Sequence, residues 1–450
     1  MTDQSSEGQY KLITNFFDEN GIPYKDHMIG FGADGEAVNF GANNSLMTKF
    51  KADIPNLFFM MCLCHSLAKC VEWACRKLPR EVDHLIRDTY CHFKYSSVKT
   101  NELAGMAEFL NIPARKLLKL FDTRWLSLRD CVHRYLQMYD PIFHYFKKEV
   151  DSKRSKGDVK VKAIFERLQN PFNKIYLKFL DFILPIITDV NLEFQCEKPK
   201  IHVMYRRMEN LFKTVGLFYL KEKYVEENDV RSIDFNNPAN FVDLFKIDLG
   251  AAANSELSLI NRGRWESNLK VFLTNCLNFY VELMNEIYKR FPFNKPEAQF
   301  LKEASFIDPV NLRDMRSIFV IPKFFNMNIT EVDHEYRTLR RRFKDSIETD
   351  VDEFWAKVRT MRKGDGSYEF PKLLEIVKKI KLLPHSSSAC ERGFSDVNNN
   401  KTKKRNQLKS ETLQAILQGK DLLRLSKTPC YKFTPNDRIL SYFNSFIYKK

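Results

Sequence analysis

The stretch Met28-Ile29-Gly30-Phe31-Gly32-Ala33-Asp34-Gly35 decides how the rest of the chain is read. Its first six residues are small or apolar without helical spacing, so they predict a short strand, and Asp34-Gly35 is a turn pair that ends it abruptly. Upstream, Leu12, Ile13, Phe16 and Phe17 mark one helical face, and Asn20-Gly21 supplies a helix stop. Downstream, Ser45 to Lys51 fits a second short helix, and Asp53 to Asn56 fits a loop. Leu57-Phe58-Phe59-Met60-Met61-Cys62 is a continuous apolar run, the pattern of a buried strand, and a helix from about Ser66 to Lys77 follows it. This alternation of helices and strands predicts an α/β arrangement with parallel strands.

From about Pro79 to Phe343 the texture changes to long helical periodicity. Phe172, Ile175, Tyr176, Phe179, Phe182, Ile183 and Ile186 form one stripe, and Phe272, Cys276, Phe279, Tyr280, Leu283 and Ile287 form another. A large all-helical region is expected, with a charged joint at Asp151 to Lys162 and a polar loop at Asn228 to Asn240. Beyond it come an arginine-rich helix (Arg337 to Lys344), a break at Lys363 to Gly366, and an amphipathic helix from Leu373 to Leu383. The cluster Pro384 to Ser395 and the basic run Lys401 to Arg405 follow, then a last helix with Leu413, Ile416, Leu417, Leu422 and Leu423.

The whole chain has 450 residues, enough for two or three folded units at roughly 150 residues each. Hydrophobic residues make up 44% and aromatics 13%, so large cores can be built. The 72 Lys and Arg against 57 Asp and Glu leave +15, which favours polyanionic partners, nucleic acid first. The most apolar stretch, Tyr176 to Val190, is broken by Lys178, Asp181 and Pro185, so no membrane span is expected. The polar start MTDQSSEGQ does not read as a signal peptide, and ten Cys over this length read as reduced thiols rather than a disulfide scaffold.

Five constellations can carry chemistry, and each also has a plain structural reading. Asp34, at the carboxyl end of a strand, sits where α/β sheets bind ligands, and with other carboxylates it could hold Mg²⁺; alone it is a turn aspartate. Cys62-Leu63-Cys64-His65, near Cys70 and Cys75, lacks the second pair a zinc site needs, so these read as buried thiols, with His65 bracing the sheet. In Thr123-Arg124-Trp125, Trp125 could stack on a base and Arg124 pair with a phosphate, or the two could simply pack and snorkel. Ser386 to Ser395 is a strong helix start with Glu391 in its opening turns. Arg340, Arg341 and Arg342, with Lys403, Lys404 and Arg405, are phosphate-contact candidates or solvated faces.

Taken in order, Gly30-Phe31-Gly32-Ala33-Asp34-Gly35, Cys62-Leu63-Cys64-His65-Ser66-Leu67-Ala68, Thr123-Arg124-Trp125-Leu126 and Ser386 to Ser395 resemble hAT-superfamily DNA transposases, closest to the zinc finger MYM-type and BED-type relatives. The resemblance covers nearly the whole chain. It implies a ribonuclease-H-like domain interrupted by a helical insertion, and an Asp-Asp-Glu triad that binds two divalent metals for DNA strand cleavage and joining. On that pattern Asp34 matches the second Asp, Glu391 the Glu, Cys62 and His65 the C-x-x-H motif, and Trp125 the insertion-domain Trp. Arg124, Arg392 and Phe394 belong to the same motifs. The expected layout is a partial ribonuclease-H-like segment at 1–78, a helical insertion at 79–342, a C-terminal dimerisation region at 343–430 that completes the first domain, and a tail at 431–450.

The sequence departs from that pattern at its start. The family's first Asp lies on a strand ahead of the helix that here begins near Gln9; Asp3 sits among polar residues and Asp18 within the helix, so neither replaces it. The BED-type zinc finger is absent as well. Two-metal chemistry needs carboxylates around both ions. The expectation is therefore an N-terminally truncated, domesticated or degenerate transposase-like protein without catalytic activity and without a cofactor. It would dimerise through Leu413, Ile416, Leu417, Leu422 and Leu423, with nonspecific DNA binding, a nuclear or otherwise cytoplasmic location, and no membrane partner. Two alternatives stand beside it. One is an active, Mg²⁺-dependent transposase whose first strands and zinc finger are missing from the gene model; the other is a nucleic-acid-binding transcriptional regulator.

Overall fold

Gly30–Ala33 (β1) and Phe58–Met61 (β2) pair in parallel, with Gly30 opposite Phe58 and Ala33 opposite Met61, in the computed structural model. The structure describes residues 3–120, 126–152, 158–260 and 262–442. Among them this is the whole of the named sheet; most of the rest is helix, and none of the helices is long and apolar enough to cross a membrane. A parallel pair needs a crossover. Here it is made by the short helices Ala37–Phe40 and Leu46–Asp53, the latter started by a reciprocal Ser45–Thr48 capping box.

The two glycines of β1 have a definite cause. Pro384 lies over the strand so closely that a Cβ on Gly30 or Gly32 would come within 2.7 Å of its ring atoms. Phe31, between them, points to the other face and meets Phe40, Phe50 and Phe59 at ring separations of 5.9, 5.6 and 6.0 Å. That face belongs to a small core of Tyr24, Leu46, Phe50, Ile54 and Leu57. The helix Ser6–Glu19 covers it with Tyr10, Ile13 and Phe17, while Leu12 and Phe16 are largely exposed. The expected stripe was therefore too wide, because a lone helix against one neighbour buries only a narrow band. The Tyr10 and Tyr24 hydroxyls both donate to Asp53 Oδ2, which ties helix and crossover together.

The larger core is the helical body. Asn170 caps Pro171–Phe194, accepting from the Phe172 N–H, and this helix buries the expected stripe against Arg262–Arg290 through pairs such as Tyr176–Phe272 and Phe179–Phe279. Phe182 and Ile186 lie at the stripe's edge, partly buried. The 262–290 helix is broken at Trp265, whose φ of −122° and ψ of 19° are not helical. Leu63–Cys75 starts three residues earlier than expected, directly after β2. It is held to Pro171–Phe194 by Asn191 Nδ2 donating to the Cys64 carbonyl at 2.9 Å, with Cys64 Sγ donating back to the Asn191 carbonyl. Buried polar groups are tolerated only when paired in this way.

The chain divides into two compact units, 1–387 and 388–450, and the division falls inside the expected 343–430 region. The second unit holds the helices Ser388–Asn400, Ser410–Leu425 and Asp437–Ser441.

Candidate functional site

Because β1 and β2 run in parallel, the residues that follow them emerge at the same sheet edge. These are Asp34 and Cys62, and the Cys62 N–H donates to the Ala33 carbonyl at 2.7 Å. This is the edge at which open α/β sheets place their ligands.

Asp34 is committed to its own loop. Its Oδ1 accepts from Asn39 Nδ2 at 2.7 Å and from the Glu36 N–H at 3.3 Å, an Asx-type turn. Beside it opens a cleft of about 400 Å³, lined by Asp34 and Glu36 on one side and by His65, Lys69, Lys289 and Arg290 among others. Its cations are partly spent, since Lys69 pairs with Glu72 at 3.1 Å while Lys289 and Arg290 both pair with the buried Glu286. The cleft juxtaposes carboxylate and cation, a polarity suited to a small charged group. Among the described residues no three His, Cys, Asp or Glu side chains are grouped to hold a metal.

Cys62 does something the sequence reading missed. Its side chain is only 2% exposed, and its Sγ accepts from the Ser387 N–H at 3.2 Å and the Ser387 hydroxyl at 3.1 Å, with His65 Nδ1 at 3.3 Å. The neighbouring Cys64 thiol, followed by His65 and Ser387, outweighs burial and holds Cys62 well below the ordinary thiol range, at about 3. Enclosed in this way, the sulfur fastens residue 387 to the end of the sheet. At Cys70 and Cys75 burial is the largest influence, and it pushes both thiols up. His65 Nδ1 lies 3.3 Å from both Cys62 Sγ and Ser387 Oγ, and Pro384 and Ser387 supply the other half of the clasp. No local signal could have shown it, because the partners lie 325 residues apart.

The remaining expected residues divide as follows. Glu391, Arg392 and Phe394 lie on Ser388–Asn400 in the second unit, with Glu391 in its first turn where the helix dipole favours negative charge, and Phe394 exposed. Arg124 and Trp125 lie outside the described residues. Of the basic candidates, Arg340 donates to the Arg313 carbonyl and Arg342 forks onto Glu369 at 2.8 and 2.7 Å, whereas Arg341 and the exposed turn Lys403–Arg405 make no ion pair among the described residues.

Ser410–Leu425 buries no residue at all. Leu413, Ile416, Leu417 and Leu423 are half-buried, and Leu422 and Leu425 are 56% and 78% exposed. Leu425 extends the expected apolar set, and its i+8 spacing from Leu417 was legible. Residues 334–423 match the family model of the hAT family C-terminal dimerisation region, and this match supports a hAT-family, transposase-related protein that self-associates.

Proposed function

We propose that this chain is a domesticated or degenerate transposase-like protein that acts by associating with a second copy of itself, without DNA strand cleavage or joining. The carrying observation is the unburied leucine helix Ser410–Leu425, most of which lies inside the dimerisation match. Full burial of each such side chain stabilises by about 1.5–3 kcal/mol, so five or six of them offset an association cost of about 4–15 kcal/mol only when most are covered. That favours one defined interface over scattered contacts. Light scattering over a dilution series tests it: the wild type is a dimer at micromolar concentration, and Leu417→Asp with Leu423→Asp is a monomer. A double variant of wild-type mass sinks the interface, and a monomeric wild type sinks the reading.

In this reading the two-stranded sheet and its flanking helices belong to a ribonuclease-H-like domain, the helical body is its insertion, and the protein works in the nucleus. The turn bonds of Asp34 support a loop-holding role for that carboxylate in place of metal ligation. Supercoiled DNA incubated with the protein and Mg²⁺ or Mn²⁺ stays intact. Divalent-dependent cleavage that Asp34→Ala abolishes would instead establish the active-transposase alternative.

A further inference from the structure

A second cleft, of about 700 Å³, lies in the helical body between the turn that joins Arg80–Phe93 to Ser97–Phe109 and the extended segment around residues 114–117. Its lining contains three cations, Lys94, Arg115 and Lys116, and no carboxylate. Other cations of this body face a carboxylate, as Arg167 faces Asp88 and Arg87 faces Asp83. These three make no ion pair among the described residues, and all are exposed. Tyr95 stands at the mouth with 85% of its surface in solvent, the Lys94 ammonium 4.3 Å from its ring centre. A tyrosine that open contributes nothing to the core. Ser97 and Asn101, one turn apart on the same helix, also line the cleft, and their side chains make no hydrogen bond among the described residues. The opposite wall is preformed: Arg134 donates to the Lys116 carbonyl at 2.8 Å, and Leu117 is buried.

We infer that this cleft binds single-stranded nucleic acid, with an unstacked base on Tyr95, its edge on Asn101 and Ser97, and flanking phosphates on Lys94, Arg115 and Lys116. A ring beside unpaired cations is the pairing that holds a base and its backbone together. A base inside a duplex has both faces covered by its neighbours, so only a splayed base offers Tyr95 a face. The amide of Asn101 and the hydroxyl of Ser97 supply donors and acceptors for a base edge, which a site for phosphate alone does not need. This site is independent of the leucine helix and of the cleft beside Asp34.

Fluorescence anisotropy of the full chain with a short labelled oligothymidylate tests it, beside an abasic strand of equal length, the matching oligoribonucleotide and a duplex. The single strand binds more tightly than the duplex, and whichever of the deoxy and ribo strands binds more tightly identifies the natural source. Tyr95→Ala weakens base-containing strands about tenfold and leaves the abasic strand unchanged, whereas Tyr95→Phe retains binding. Arg115→Gln with Lys116→Gln weakens both kinds of strand and lowers the salt slope by about 1.4, at roughly 0.7 per phosphate. Wild-type affinity in Tyr95→Ala, tighter binding of the duplex, or no binding by the wild type overturns the inference. A loss of dimerisation in the leucine variant bears on none of these outcomes.

Discussion

Pro171–Phe194 and Ser410–Leu425 are both amphipathic helices rich in large apolar residues, and they meet opposite fates. The first buries thirteen residues, Asn173, Thr188 and Asn191 among them; the second buries none. Hydrophobic spacing tells which face of a helix seeks a partner, but not whether that partner is in the same chain. The first face is closed within the body by Phe272, Phe279 and Tyr280. The second is left open, and in this chain that openness coincides with a dimerisation match.

The contrast can be broken most forcefully at Phe179, which is fully buried between Phe279 and Tyr280. Phe179→Ala is expected to cost about 3–5 kcal/mol in urea denaturation, and to cost the same at any protein concentration. A loss below 1 kcal/mol would mean that the body is loosely packed. The next effect belongs to the other helix. Over a hundredfold dilution through the dimer's dissociation range, hydrogen exchange of residues 410–425 should accelerate by an amount corresponding to about 2–3 kcal/mol, while residues 171–194 keep their protection. Equal behaviour of the two helices would erase the comparison.

Cys62 sharpens it, because here the first unit is closed by its own last residues. Cys62→Ala leaves the Ser387 and His65 donors without their acceptor and should cost about 1–3 kcal/mol. The folded state holds this thiol below its ordinary value of 9.0, so its contribution is fully present above that value and is lost as the pH falls towards about 3. The stability gap between wild type and Cys62→Ser should therefore narrow across that window; a constant gap would show a neutral thiol. Burial also pushes His92 and His202 down to about 4, so both proteins lose stability as the pH falls from 6.5 towards that value, and this shared loss cancels in the gap. The smallest effect separates neighbours on one helix: Arg342→Ala, which breaks the half-exposed fork to Glu369, should cost under about 1 kcal/mol, and Arg341→Ala close to nothing.

Local pattern made the elements legible. The strand at Met28–Ala33 was foreseen two residues long at its start, the buried run at 57–62 one residue long at each end, and the Phe172 and Phe272 stripes lie in the core or at its edge. The width of the first helix's buried band was misjudged, since periodicity cannot count neighbours. At the site, the position of Asp34 after the strand was readable from strand-then-turn order. The contact of Cys62 with Ser387 was not, because it spans 325 residues, and the reason for Gly30 and Gly32 lay in Pro384.

The clasp of Pro384 and Ser387 on the sheet also sets a schedule. Its halves are 325 residues apart, so at a synthesis rate of roughly 5–20 residues per second the first strands wait about 15–65 s on the ribosome before their closing segment is made. Throughout that interval the Cys62 sulfur lacks its Ser387 donors, and the face of β1 destined for Pro384 is uncovered. The nascent sheet thus stays open on that face for most of its synthesis, and a ribosome stalled before residue 384 would carry it unclosed.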